Sequence, residues 1–420
     1  MRTGVRGTVR DYAVVTGSYW AFTLTDGALR MLLLLHLHEL GARPIEIAAL
    51  FLSYEACGIA TNFAAGRLGA RYGLKSTLVA GLSLQIAVCL ALVAQAQTLV
   101  LPVLFAAQCV SGIAKDLTKT SAKSYVKLVA PEGDSGHLMR LVALLTGSKN
   151  TLKGVGFFGG GALLWGLGFA NACWSLIALL VIGLIPALRT LESRAGRSAG
   201  ARNWRLDDAR IQWLSLARLF LFGARDVWFA IALPLYFADQ LGWSHLSVGA
   251  FLAAWIIGYG VVQALAPRVL RSTQRPSAEA TLRGAELASW AGALLAPLAG
   301  IYLALDQGSN PFAALGFGLG AFGILFAVCS ALHSFLIVEF ARPGHVAQSV
   351  GFYYMSNAAG RFLGTAASAV LYQSNGGGLA GLQACLIGSS LCVATSAALG
   401  FPLRAAELRH LKSGSDSIPA

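Results

Sequence analysis

Twelve apolar stretches, each about long enough to cross a lipid bilayer, constrain this chain more than any other feature. They lie near 12–37, 46–66, 76–96, 98–118, 140–164, 167–188, 211–237, 246–266, 281–303, 311–338, 346–371 and 380–403. A helix crosses the hydrocarbon core with about 20 such residues. In lipid every backbone N–H and C=O must be bonded within the protein, which leaves helices and closed barrels. The alternating pattern of a membrane barrel is absent here, so the predicted fold class is an all-α membrane protein with twelve spans. Composition agrees: 56% of the 420 residues are hydrophobic and only 12% are charged, against about 25% charged in a soluble domain. The first stretch follows Arg2, Arg6 and Arg10 but is long and contains Asp26 and Arg30. No small-residue cleavage site follows a short apolar run, so this helix is expected to be retained and not removed as a signal peptide.

A net charge of +13 would suit a nucleic-acid binder, but its distribution argues otherwise. With alternate loops assigned to opposite sides, only Arg43 falls on the side away from the N-terminus. Of the other Lys and Arg, seven lie within spans and the rest, counting Arg140 and Arg283 at span starts with the loops, lie on the N-terminal side. This is the positive-inside asymmetry. It predicts both termini in the cytoplasm, an even number of spans and no nucleic-acid partner. The seven cysteines sit in apolar spans without a CxxC or a Cys/His cluster. They read as small hydrophobes, and no metal or cofactor is expected. Gly159, Gly160 and Gly161 offer a face for close helix approach.

The longest polar stretch between spans, 189–210, divides the chain into a six-helix bundle over 1–188 and a second over 211–403, with a cytoplasmic tail over 404–420. The halves resemble each other at a fixed offset: Leu40-Gly41 matches Leu241-Gly242, Ala49 matches Ala250 and Arg67 matches Arg268. Two such pseudo-repeats are the plan of the major facilitator superfamily, whose substrates bind near the midplane between two rocking halves. The hairpin Gly66-Arg67-Leu68-Gly69-Ala70-Arg71-Tyr72-Gly73-Leu74-Lys75 resembles that superfamily's G-x-x-x-D-R-x-G-R-K loop. Ala70 stands where Asp is usual and Leu74 where Arg is usual, which puts the family's charge relay at this loop in question.

Charges inside the spans are costly and mark functional sites by default. They are Asp26 and Arg30 in the first span, Glu55 in the second, Lys115 and Asp116 in the fourth, and Lys149 and Lys153 in the fifth. Arg218, Arg225 and Asp226 follow in the seventh and Arg361 in the eleventh. Seven cations face four carboxylates. A dry interior would not tolerate that excess, whereas a wet cavity holding an anion would. In the superfamily plan the first, fourth, fifth, seventh, tenth and eleventh helices line the cavity, and every one of these cations falls on that set. Asp26 and Arg30 share a helix face with Tyr19 and Thr23, and Lys149 and Lys153 share another beside Asn150. Arg suits phosphate or carboxylate through its fork of donors, and Lys adds a point charge.

Local pairing could neutralise Asp26 with Arg30, Asp116 with Lys115 and Asp226 with Arg225, although adjacent helical residues point about 100° apart and favour partners on other helices. Glu55 has no local partner, and Arg361 is one candidate. Asp26, Glu55, Asp116 and Asp226 are the coupling or gating candidates, because a carboxylate held protonated could carry a coupled proton. The ladder Lys115, Lys119, Lys123 and Lys127 is either a basic funnel for anions or ordinary snorkelling at a helix end. His36 and His333 read as packing or boundary residues.

Five stretches resemble the organoarsenical efflux permeases called ArsJ. They are Tyr19 to Leu35 (YWAFTLTDGALRMLLLL), Ser111 to Ser124 (SGIAKDLTKTSAKS), Leu144 to Leu164 (LLTGSKNTLKGVGFFGGGALL), Ala217 to Tyr236 (ARLFLFGARDVWFAIALPLY) and Ile256 to Pro267 (IIGYGVVQALAP). The likeness continues more weakly to Arg361. Thr118 and Thr120 stand where that family more often has Asn and Met. The resemblance implies export of 1-arseno-3-phosphoglycerate across a bacterial inner membrane, functional coupling to the glyceraldehyde-3-phosphate dehydrogenase that makes it, and arsenate resistance. The expected substrate contacts are Arg30, Lys149, Lys153, Arg225 and Arg361, with Lys115 and Arg218 towards the cytoplasm and Asn150 and Asn357 hydrogen-bonding the glycerate. A sugar-phosphate or other organic-anion exchanger of the same superfamily fits the cation pattern equally. Hydrophobic drug efflux fits it less well, and neither an enzyme's nucleophile and base nor a sensor's soluble domain is visible. A monomer is expected.

Overall fold

The computed structural model describes residues 8–39, 44–96, 100–131, 134–193, 195, 208–243, 245–270, 283–342 and 345–415. The described residues form α-helices and one 3-10 turn, with no strand among them. They divide into two compact units: 1–204 with 341–355, and 205–340 with 356–420.

In the first unit, α1 (Val9–Glu39), α2 (Pro44–Tyr72), α3 (Leu74–Ala94) and α4 (Leu101–Val129) precede α5 (Ser135–Thr190). At 56 residues α5 is far too long for one crossing, and Gly168, with φ 73 and ψ 169, breaks it into two rods. Only glycine takes such a conformation without strain. The break falls at the start of the sixth predicted span, just past the gap that follows the fifth. Gly73, at φ 94, performs the same service between α2 and α3, the sole residue separating them. The glycine-rich hairpin is therefore a one-residue turn. Ala70 and Leu74 are both buried there, so apolar packing occupies the positions where the superfamily carries charge. A Cβ at Gly69 would lie 3.3 Å from Ala347 Cβ and from Leu74 Cδ2.

In the second unit, α6 (Ala209–Phe229), α7 (Ala232–Asp239), α8 (His245–Leu265), α9 (Arg283–Ala293), α10 (Leu295–Asp306) and α11 (Pro311–Phe340) are followed by α12 (Val346–Ser374), α13 (Gly378–Ala398) and α14 (Gly400–Ser415). The first ten residues of α12 belong to the first unit. Three breaks share one cause. Pro234, Pro297 and Pro402 each lack an N–H and crowd the carbonyl four residues back, at Ala230, Ala293 and Ala398. The chain kinks there between α6 and α7, α9 and α10, and α13 and α14. At the first kink Ser368 Oγ takes up the amide of Ala232 at 3.1 Å. With α5 counted as two rods and each kinked pair as one, the helices give the twelve predicted spans. The 404–415 part of the expected tail is helical.

Among the described residues, six segments are long and apolar enough to cross a membrane by length and composition alone. α1, α2, α4, α6 and α12 fall outside that set, and these helices carry most of the intramembrane charge. Large apolar side chains face outward, including Trp165, Phe317, Ile182 and Phe401, as lipid contact requires. Inside the second unit Trp228 packs edge-on against Phe322 and Trp255.

Candidate functional site

Each unit gathers its own charges. In the first, close helix approach comes from glycine. A Cβ at Gly27 would lie 2.6 Å from Lys153 O, and one at Gly156 would lie 2.6 Å from Leu24 O, so α1 and α5 touch backbone to backbone. Gly160 makes the same approach against Ala28, whereas a Cβ at Gly159 would meet nothing within 4 Å and one at Gly161 would make only ordinary contact. Of the three glycines expected to form a face, one does. Gly112 lies against the Tyr54 backbone and seats α4 on α2.

These approaches bring α1, α2, α4 and α5 charges together. Asp26 is buried, accepts a hydrogen bond from the Tyr54 hydroxyl and lies 3.9 Å from Lys153 Nζ. Glu55 lies 3.5 Å from both Arg30 Nη2 and Lys115 Nζ. The Tyr54 ring sits under both of those cations, 3.9 Å from Lys115 Nζ and 4.8 Å from Arg30 Cζ. Asp116, fully buried, binds Lys119 Nζ at 2.5 Å, and Lys119 also lies over the Tyr354 ring at 4.5 Å. Lys149 and Asn150 are partly buried on α5, about one turn before Lys153. Tyr19 is buried, and the Thr23 hydroxyl is spent on the Tyr19 carbonyl at 2.8 Å.

These partners differ from the local pairs expected. Asp26 pairs with Lys153 in place of Arg30 and Arg30 pairs with Glu55, whereas Asp116, expected to find a partner on another helix, pairs with Lys119 one turn on along α4. Glu55 finds cations inside its own unit, while Arg361 binds Asp226. The cause is rotation. A one-turn spacing puts two residues on one face but does not make them each other's best-oriented partner, and a facing helix can reach between them. Lys123 is 2% exposed, so its side chain does not snorkel to solvent.

In the second unit Asp226 is the hub. Its Oδ1 accepts from Arg225 Nε at 2.6 Å and its Oδ2 from Arg361 Nε at 3.1 Å. The sequence-adjacent pair thus forms, with a cross-helix partner added. Gly223, Gly360 and Gly364 let α6 and α12 touch at this level; a Cβ at Gly364 would lie 2.6 Å from Gly223 O. About two turns back along α6 Arg218 is buried, donating to Asn357 Oδ1 at 2.9 Å and to Ser330 Oγ at 3.0 Å. Tyr259 and Gln263 also reach Ser330 Oγ, at 2.9 and 3.2 Å. The Phe222 ring lies 3.8 Å from Arg218 Cζ and 5.0 Å from Arg225 Cζ. His333 is fully buried and stands without a hydrogen-bond partner among the described residues, while His36 stacks on Phe169 at 4.0 Å.

The two units repeat one device, a carboxylate on the first helix bound by a cation of the fifth, beside an aromatic ring that two cations share. The first cluster sets Arg30, Lys115, Lys119 and Lys153 against Asp26, Glu55 and Asp116. The second sets Arg218, Arg225 and Arg361 against Asp226. Both are net cationic. Tyr54, Phe222, Ser330, Tyr259 and Gln263 escaped sequence reasoning because uncharged side chains in apolar spans carry no warning of burial beside charge. The seven cysteines are free, and no group of three His, Cys, Asp or Glu that could hold a metal occurs among the described residues.

The profile of the Major Facilitator Superfamily matches residues 15–365. No curated protein matches the chain. Among solved structures, the human organic anion transporter MFSD10 (TETRAN) is similar at TM-score 0.70 and 16% identity, covering 94% of this chain and 100% of that one. The E. coli fucose:proton symporter FucP is similar at 0.69 and 14%, covering 93% and 98%. A bacterial homologue of the iron transporter ferroportin, in an outward-facing state with soaked iron, is similar at 0.68 and 15%, covering 93% and 98%. At these identities the likeness is one of fold.

Proposed function

This chain belongs to the major facilitator superfamily, and from that premise we propose that it exports 1-arseno-3-phosphoglycerate from the bacterial cytoplasm by alternating access, giving arsenate resistance. The superfamily's members are transporters, and the membrane-crossing helices make this a multi-pass membrane protein. The observation that carries the substrate class is the cation excess in each cluster, four against three and three against one among the residues named above. Partly buried cations in excess of their carboxylates are stabilised by a bound anion. Arg225 and Arg361 offer guanidinium forks that match phosphate and arsenate geometry, and Lys153 and Lys149 add point charge.

The arsenylated glycerate carries an oxyanion at each end, the kind of group that either cation-rich cluster would take. Its pentavalent arsenic needs no thiolate, consistent with cysteines spread through the helices. The substrate would be supplied by a glyceraldehyde-3-phosphate dehydrogenase acting on arsenate. The protein would sit in the inner membrane as a monomer with both termini cytoplasmic.

The test is arsenate uptake into inside-out vesicles containing the protein, with and without the dehydrogenase, its triose phosphate and its nicotinamide cofactor. Uptake only with the complete mixture is expected. No uptake in sealed, energised vesicles rejects this substrate and leaves an organic-phosphate exchanger of the same superfamily. Arg225→Ala and Lys153→Ala should each abolish uptake while the protein still inserts, and full uptake in either would remove that residue from the site.

A further inference from the structure

Asp226 holds two arginines with one carboxylate, one oxygen to Arg225 Nε at 2.6 Å and the other to Arg361 Nε at 3.1 Å. Its side chain is only 4% exposed, while that of Arg361 is 31% exposed. The arginine can therefore be approached although the carboxylate is shut in. A two-oxygen anion laid across two guanidinium groups is the pose that an oxyanion ligand would itself adopt. Arg225 is seated independently, 5.0 Å from the Phe222 ring and 5.7 Å from the Phe229 ring. It would keep its place if the carboxylate let go.

We propose that Asp226 is a built-in competitor for the ligand, which sets the least charge an anion must carry to be accepted. This rests on the anion-transport reading above and assigns selectivity within it. A monocarboxylate that replaces Asp226 exchanges like for like and still loses translational and rotational freedom, so it gains nothing. A phosphomonoester dianion brings a second charge and a third oxygen, enough to hold both arginines after displacing the carboxylate. The favoured ligand class is therefore a dianionic oxyanion, and the corresponding uncharged or monocarboxylate compound is excluded.

Calorimetric binding of 3-phosphoglycerate, inorganic phosphate and glycerate to the full-length solubilised protein tests this, in wild type and in Asp226→Asn. Wild type should bind glycerate at least about a hundredfold more weakly than 3-phosphoglycerate. Asp226→Asn should tighten glycerate at least about tenfold and 3-phosphoglycerate by less, so that the ratio narrows. An unchanged or wider ratio overturns the proposal. If the variant does not fold, the same question is put to wild type, by labelling Asp226 with a hydrophobic carbodiimide and reading the peptide by mass spectrometry. Bound 3-phosphoglycerate should increase labelling and glycerate should not; no change or a decrease with 3-phosphoglycerate bound overturns it. A wild type that binds none of the three anions removes the transport reading and this proposal together, whereas binding with an unaltered ratio removes this proposal alone.

Discussion

Tyr54 sits where two carboxylate systems of the first unit meet. Its hydroxyl donates to Asp26, and its ring lies under Arg30 and Lys115, which bind the neighbouring Glu55. Phenylalanine at this position keeps the ring and removes the hydroxyl. A hydrogen bond to a charged group is worth about 1.5–3 kcal/mol, so Tyr54→Phe should destabilise the solubilised protein by about that much. Tyr54→Leu loses the cation-facing ring as well, worth about 0.5–2 kcal/mol more. Thermal unfolding followed by tryptophan fluorescence should rank the three proteins in that order, and equal midpoints would remove Tyr54 as an organiser. At this scale the sequence told which helices hold charge but not who pairs with whom. Asp26, Arg30 and Glu55 stand out because a charge in an apolar run is conspicuous, while the pairings depend on helix rotation and depth, which no single-helix spacing contains.

Helix breaks and helix contacts differ in how plainly the sequence writes them. Pro234, Pro297 and Pro402 each act on a carbonyl four residues back, a local rule, although Pro186 sits inside α5 without ending it. The break inside α5 is likewise visible as two spans with a short gap before Gly168. Which glycine makes a contact is a different matter, because it depends on what stands opposite. Gly159 and Gly160 are neighbours of one type, yet only Gly160 meets another backbone. A Cβ there would lie 2.9 Å from Ala28 Cα, and α1 would have to move. Such overpacking costs about 1–3 kcal/mol, so Gly160→Ala should lower the unfolding midpoint and slow transport through the α1–α5 contact. Gly159→Ala has open space around it and gains about 0.5–1 kcal/mol of helix preference. A matched drop in both variants would mean that this contact is not what holds the two helices.

For the molecule as a whole, the expected orientation rests on charge and on the parity of the spans. Lys and Arg in the loops gather on one side, with Arg43 alone on the other, and cations near helix ends are retained on the cytoplasmic face. An even number of spans then returns the chain to the side on which it started. The twelve spans were legible because the bilayer imposes one length on every crossing. Sidedness is an expectation from the cost of translocating charge, and neither argument reveals how a helix is rotated within its unit. A fluorescent protein fused after Ala420 should therefore fluoresce, and alkaline phosphatase at the same place should be inactive. Phosphatase inserted after Gly308, in the exposed turn between α10 and α11, should be active, and phosphatase inserted after Ala341 should again be inactive. Activity at both Gly308 and Ala420 would mean an even number of crossings between them and would remove one of the last three spans, since α11, α12 and the α13–α14 pair lie in that interval. Activity at Ala341 and Ala420 with none at Gly308 would invert the whole molecule and, with it, the direction in which the proposed export runs.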